Sequence, residues 1–294
     1  LTAVCTMAYG FNGMNWLDAL MHAFSTVSLG GFSSHDASFG FFDSPVLEAI
    51  TIGFALMSGI SYVTHFAALS GRSLRPYRRD GEVPFYLGVL GTSVLLVATY
   101  LWQQDYYAEF ATALRHAAFN TVSVATTLGY ASTDYSKWPF FAPLWMLFLC
   151  SFVTCSGSTG GGLKMMRAVI LYKQVFREIT HAMHPNAMTF VKLGGSIVPN
   201  KIILAVLGFG FLYMASTIFF TLVLAASGID IVSAFSAAVA CFNNTGPGLG
   251  LVGPDSNYGV LNDFQVCVCS FAMLLGRLEI FTLLVVLTPA YWRK

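Results

Sequence analysis

The chain has 294 residues, 56% of them hydrophobic and 10% charged, with a mean hydropathy of +0.67; soluble domains carry roughly 25% charged residues, so this is the composition of a membrane protein. A formal net charge of +1 excludes nucleic acid as a partner, because phosphate binding needs Lys and Arg concentrated on one face. The six cysteines lie in or beside apolar segments without a C-x-x-C pair, the pattern of buried free thiols rather than of a disulfide or metal framework.

In chain order, the sequence starts at Leu1 without an initiator Met, a basic n-region or a cleavage signal, and is expected to begin inside a longer protein. Residues 1–9 read as the tail of a spanning helix. Trp16, Leu20, Ala23, Phe24 and Val27 give residues 15–27 a helical pattern. At 1.5 Å per residue that helix is only about 20 Å long, short of the ~30 Å hydrocarbon core, so it should dip in and return. Ser44 and Pro45 supply a helix start, and residues 46–69 are long enough to cross. Residues 71–82 form a short basic loop carrying Arg72, Arg75, Arg78 and Arg79.

The same order then recurs. Residues 84–103 can span, 106–124 carry a short amphipathic helix, and 138–172 are apolar again but broken at 156–162. In a third round, 201–227 can span, 231–242 form a short helix, and 258–289 make the last span. The chain is therefore a repeat of span, half-helix, turn and span.

A similar turn follows each half-helix. Gly31-Phe32-Ser33-Ser34-His35-Asp36 matches Gly129-Tyr130-Ala131-Ser132-Thr133-Asp134, and Phe242-Asn243-Asn244-Thr245-Gly246-Pro247-Gly248 occupies the corresponding place in the third round. Aligning Gly31, Gly129 and Gly246 makes Leu29 and Gly30, Thr127 and Leu128, and Asn244 and Thr245 equivalent. Their side chains differ, which suits a site that uses backbone oxygen. A half-helix ending at mid-membrane presents a partly negative end and unwound carbonyls, and such oxygens replace the hydration shell of a cation. The alternative is three ordinary interhelical loops. Irregular backbone within a bilayer, however, needs a wet or protein-lined centre.

Cys155-Ser156-Gly157-Ser158-Thr159-Gly160-Gly161-Gly162-Leu163-Lys164 interrupts a span. A phosphate-loop reading fails, because Leu163 separates the glycine from Lys164 and Met165 stands where Ser or Thr should follow. A Gly-Ser break inside a spanning helix frees backbone groups and permits movement, so the stretch is read as a plug across the pore, with a simple kink as the alternative. Arg277 and Glu279 lie in the last apolar span, where ionisable side chains are costly. Arg277 could hold the Gly-rich loop through its carbonyls, or pair with a neighbouring helix. His65 reads as a packing residue, and no cluster has metal-site spacing. An intramembrane hydrolase would need Ser156 or Ser158 with His65 or His181, but no Gly-x-Ser-x-Gly elbow is present.

Charge sets the orientation. Arg72, Arg75, Arg78, Arg79, Lys164, Arg167, Lys173, Arg177, Lys192, Lys201, Arg293 and Lys294 fall on one side, with only Arg115 and Lys137 on the side of the turns, which the positive-inside rule places outside. Asp18, Asp36, Asp43, Glu48, Asp105, Glu109, Asp134, Asp230, Asp255 and Asp263 fall on or near the outer side. They are expected to form an acidic vestibule that concentrates cations, or simply to solvate helix ends.

These residues together resemble the Trk/Ktr/HKT superfamily of potassium transporters, most closely its bacterial TrkH-type membrane subunits. The resemblance is carried by Thr26-Val27-Ser28-Leu29-Gly30-Gly31-Phe32, by residues 156–164, by His184-Pro185-Asn186-Ala187, by residues 243–250, and by Gly276-Arg277-Leu278-Glu279. It implies an all-α integral membrane fold of pseudo-fourfold, potassium-channel-like M1–P–M2 repeats with re-entrant pore helices. Three of the four repeats would be present, at 1–80 (most of the first span missing), 81–198 (gating loop 155–164) and 199–294.

It further implies potassium uptake across the bacterial inner membrane, with the filter toward the periplasm. Gly31, Gly129 and Gly246 would be filter glycines, and potassium would sit at Leu29, Gly30, Thr127, Leu128, Asn244 and Thr245. Gly157, Ser158, Thr159, Gly160, Gly161 and Gly162 would form the gate, with Arg277 as its partner. The implied partners are a second copy in a homodimer, a cytosolic nucleotide-binding regulatory ring of the TrkA type, and membrane lipid. Potassium is the transported ion and no organic cofactor is expected. A sodium-permeable or sodium-coupled member of the same fold is the alternative.

Overall fold

The computed structural model describes residues 1–278 and 280–292. The first round of elements comprises α1 (Thr2–Phe11), α2 (Trp16–Ser28), α3 (Pro45–Ser58), α4 (Tyr62–Ser70) and α5 (Arg75–Arg79). The second comprises α6 (Val83–Gln103), α7 (Phe110–Ala125), α8 (Phe141–Cys150) and α9 (Met165–Met183). A small hairpin, β1 (Lys192–Leu193) with β2 (Ser196–Ile197), leads into the third round. That round is α10 (Asn200–Ala226), α11 (Ile231–Asn243), α12 (Asp263–Arg277), α13 (Ile280–Leu287) and α14 (Pro289–Trp292).

Local chemistry sets these boundaries. The Asn15 side chain accepts from Leu17 N at the start of α2, and Ser44 precedes Pro45 at the start of α3. Asp230 accepts from Ser233 N at the start of α11, and Asn262 and Gln265 make a reciprocal capping box on α12. Each device satisfies amide donors that a helix start leaves open.

Two single helices, α6 with 21 residues and α10 with 27, are long and apolar enough to cross a membrane. By contrast α2 and α11 have 13 residues each and α7 has 16, half-helices of about 20–24 Å. Two of these short helices, α7 and α11, are nevertheless buried over their C-terminal halves, whereas α2 exposes Trp16, Leu17 and Phe24. Every α7 residue from Phe119 to Ala125 is buried, as is nearly all of α11 from Ser233 onward. The long α10 instead exposes Leu204, Phe211, Met214, Ile218 and Leu222, an apolar face of the kind lipid covers. Packing follows the repeat: α1 lies on α2, α6 on α7, and α11 between α10 and α12. Contacts of α7 with α3 and of α8 with α11 join the rounds.

Three expected spans are not continuous. Residues 46–69 turn by 92° between α3 and α4. At that corner a Cβ on Gly59 would overlap the Tyr86 hydroxyl, which donates to Leu56 O at 3.1 Å, and the Gly59 carbonyl accepts from Cys155 N at 3.0 Å. The chain bends because its backbone there is used by a neighbouring segment. The last span turns by 107° between α12 and α13. The third break runs from Ser151 to Lys164, longer than the 156–162 expected from its glycines.

Arg115 on α7 ties the second round to the first. Its guanidinium donates to both Glu48 oxygens, at 2.9 and 2.8 Å, and to Asp43 Oδ1 at 2.8 Å. Glu48 is only 3% exposed, so removing its partner strands a buried charge. Arg115→Ala is expected to cost about 3 kcal/mol or more, read as a fall in unfolding temperature of the full-length protein in detergent.

Candidate functional site

The half-helices α2, α7 and α11 end in the same way. Gly30 N reaches back to Ser25 O at 2.8 Å, Leu128 N to Ser123 O at 2.8 Å and Thr245 N to Ala240 O at 2.9 Å. The preceding amides of Leu29, Thr127 and Asn244 bond to Thr26 O, Val124 O and Cys241 O. This pair of bonds is the Schellman ending, in which the first residue past the helix takes a left-handed conformation normally given to glycine. Here that position holds Leu29, Thr127 and Asn244, with φ of 54°, 61° and 55°. Non-glycine residues held there cost on the order of 1–3 kcal/mol each, strain that collects at functional sites.

The three turns converge. A Cβ added to Gly31 would overlap the carbonyl oxygen of Leu128, and one added to Gly129 would overlap that of Thr245. Each glycine thus lies against the main chain of the following turn. Gly246 has nothing within 4 Å of its would-be Cβ and faces a cavity of about 700 Å³. Leu29, Gly30, Gly31, Gly129, Asn244 and Thr245 line that cavity with Gly246, and Arg277 lies on its wall. Thr127 and Leu128 are buried beside it and do not line it.

A hydrogen-bonded layer holds the turns. Ser123 Oγ donates to Tyr130 O at 2.6 Å, and the Tyr130 hydroxyl crosses to Phe32 O at 3.1 Å. Asn120 brackets Ser132, accepting from its amide at 3.2 Å and donating to its hydroxyl at 3.0 Å. Ser236 Oγ exchanges bonds with the backbone of Leu249, and the Tyr258 hydroxyl donates to Gly246 O at 2.9 Å. The expected acidic vestibule is absent from this cavity, whose lining contains no carboxylate. The acids serve helix ends instead: Asp18 in the first turn of α2 accepts from Ser34, and Asp230 caps α11. Negative side chains are favoured at these positive dipole ends.

The Gly-rich stretch lies against the inner ends of all three half-helices. Thr159 Oγ1 donates to Val27 O at 3.2 Å, and Gly161 N donates to Thr127 Oγ1 at 2.9 Å. A Cβ on Gly161 would overlap Asn243 O, and one on Gly160 would lie 3.1 Å from Thr126 O. Arg277 donates to Thr159 O at 3.0 Å, and Lys164 Nζ donates to Gly160 O. Thr154 Oγ1 closes the loop internally on Gly161 O at 2.8 Å. Gly157 O accepts from Tyr62 N at 3.2 Å, the Ser158 hydroxyl donates to Cys155 O, and a Cβ on Gly162 would crowd the Ser151 carbonyl.

Similarity to known proteins follows this geometry. The family model for TrkH, described as a cation transport protein, matches residues 3–294. The chain belongs to the TrkH family. It is 44% identical to the Trk system potassium uptake protein TrkH of Salmonella typhimurium and 37% identical to TrkG of Escherichia coli, covering all of this chain and 60% of each relative. The crystal structure of the potassium transporter TrkH from Vibrio parahaemolyticus superposes with a TM-score of 0.94 at 40% identity, over 100% of this chain and 63% of that one. The TrkH-family chain described here therefore spans about three fifths of the length of these relatives.

The hydrolase reading has no geometry behind it. His65 bonds to Tyr77 and Met57 O, and His181 to Thr189. Glu279, Arg293 and Lys294 lie outside the described residues. Sequence reasoning missed Glu82, which it left in a basic loop. Its Oε2 accepts from Ser156 N at 2.7 Å and Met166 N at 3.2 Å, one at each end of the Gly-rich stretch. Burial pushes its carboxyl above the ordinary range, and Asp80 adds to this while the amide bonds oppose it. The available signal was an acid directly before a Pro-initiated apolar helix.

Gly161→Ala is expected to destabilise the protein by about 1–3 kcal/mol, because the new methyl meets the fixed backbone of Asn243. Gly53→Ala, which meets nothing within 4 Å inside α3, should be neutral or stabilising by up to about 1 kcal/mol. Thermal unfolding of the two variants measures the contrast.

Proposed function

We propose that this chain is the potassium-translocating part of a bacterial inner-membrane uptake system, working by selective permeation. The observation that carries this reading is the contact of the three strained turns around one centre, with the Gly-rich stretch directly beneath them. Main-chain carbonyls of Leu29, Gly30, Thr127, Leu128, Asn244 and Thr245 coordinate dehydrated potassium; Gly31 and Gly129 let adjacent turns approach, and Gly246 is the filter glycine of the third turn. Weak coordination at several levels lets an ion both enter and leave. The names of the relatives, which are potassium uptake proteins, support potassium as the ion.

Residues 1–80, 81–198 and 199–294 are three of four quasi-equivalent units. A fourth turn, for which the longer relatives have chain to spare, would close the open side at Gly246. Residues 157–162 are the gate. Their tip contacts every half-helix end, and Arg277 holds Thr159 while placing a cationic group on the path. The turns face the periplasm, in keeping with the basic residues on the opposite side. The chain works as a homodimer with a cytosolic nucleotide-binding regulatory ring of the TrkA type; relatives named as parts of a Trk system support only that it works within a system.

Potassium and sodium fluxes into liposomes carrying the full-length protein test the filter. Potassium should be preferred, Gly129→Ser should reduce that preference by about tenfold, a barrier change of ~1.4 kcal/mol, and equal wild-type permeability would overturn the reading. For the gate, Arg277→Ala should raise basal potassium flux, whereas unchanged flux in folded protein counts against a plug.

A further inference from the structure

Glu82 immediately precedes α6 and is 6% exposed. One of its oxygens, Oε2, accepts from both Ser156 N and Met166 N, amides ten positions apart that flank the Gly-rich stretch. The residue is itself fixed. Its own amide donates to Asp80 Oδ1 at 2.9 Å, and the other Asp80 oxygen accepts from Thr64 Oγ1 on α4 at 2.6 Å. The N-terminal shoulder has further ties to the α3–α4 corner, through Cys155 N to Gly59 O and Tyr62 N to Gly157 O.

We propose that Glu82 is a positioning residue that clasps the two ends of residues 156–166 at one carboxylate oxygen, so that this stretch moves as a hinged flap. The inference rests on the gate assignment above for its effect on flux, but the clasp has a readout of its own. Two amides held on one atom keep the ends of the stretch together, while its tip is held separately. Thr159, Gly161 and Arg277 supply one hydrogen bond each. Breaking those tip bonds releases the tip without unravelling the base. A charged acceptor strengthens both base bonds, and neither of them is shared with the tip. A buried carboxylate is costly unless it is paired and hydrogen-bonded, which gives the chain a reason to satisfy it with two amides.

The test uses the full-length protein in nanodiscs, with hydrogen exchange followed over peptides covering residues 156–166. Glu82→Ala should accelerate exchange at the Ser156 and Met166 amides by about tenfold or more, the factor carried by loss of one bond to a charged group. Glu82→Gln, whose amide oxygen still accepts, should retain most of the protection. Should Glu82→Ala not fold, Glu82→Asp, too short to reach both amides, carries the same expectation as alanine. In liposomes the released variants should raise basal potassium flux without changing the preference over sodium. Unchanged exchange in folded Glu82→Ala or Glu82→Asp would overturn the clasp, as would equal acceleration in the glutamine and alanine variants. Accelerated exchange with unchanged flux supports the clasp and counts against the gate assignment.

Discussion

Main-chain polar groups placed in an apolar layer must find partners in protein or face a wet path, and this constraint shapes the molecule. At the ends of α2, α7 and α11 the chain stops helical bonding at depth. It satisfies two amides in each case by the Schellman pattern, and it accepts left-handed backbone at Leu29, Thr127 and Asn244 to do so. The strain is tolerated because the surroundings fix the turns from both sides: tyrosine, serine and asparagine side chains on the outer face, and the Gly-rich stretch on the inner face. The short helices α7 and α11 are therefore buried, and the long apolar helices α6 and α10 pack outside them.

The inner face is organised by the same constraint. Residues 151–164 are non-helical in a region flanked by apolar helices, so their amides and carbonyls need partners. The partners come from every side: Ser151 and Thr154 within the stretch, Gly59 and Tyr62 at the α3–α4 corner, Glu82 before α6, Thr127 after α7 and Arg277 at the end of α12. The 92° bend that interrupts residues 46–69 belongs to this arrangement. A straight α3–α4 helix would use the Gly59 carbonyl internally and leave Cys155 N without its acceptor.

The order of elements was legible because it depends on length and period. Half-helices of 13 to 16 residues between long apolar runs predict re-entry whatever their side chains, and the three glycines aligned correctly from spacing alone. Other features were hidden for physical reasons. The left-handed residues were obscured because Leu29 and Thr127 are poor candidates for that backbone by local preference, and tertiary contacts override preference. The acids were left between two readings because a count of charges by side does not say whether a carboxylate faces a cavity or solvates a helix end, and Asp18 and Asp230 do the latter. Glu82 went unnoticed since its partners are amides 74 and 84 residues away, and composition carries no trace of such bonds. The bend at Gly59 likewise depends on distant backbone.

The contacts between turns run in one rotational sense. Gly31 rests on the carbonyl of the second turn, Gly129 on that of the third, and Gly246 looks outward. Such a head-to-tail wreath has no independent members. A side chain added to Gly31 or Gly129 would displace the carbonyl of the next turn rather than one of its own. Substitutions at these two positions should consequently combine non-additively, because the backbone that gives way to the first also carries the second.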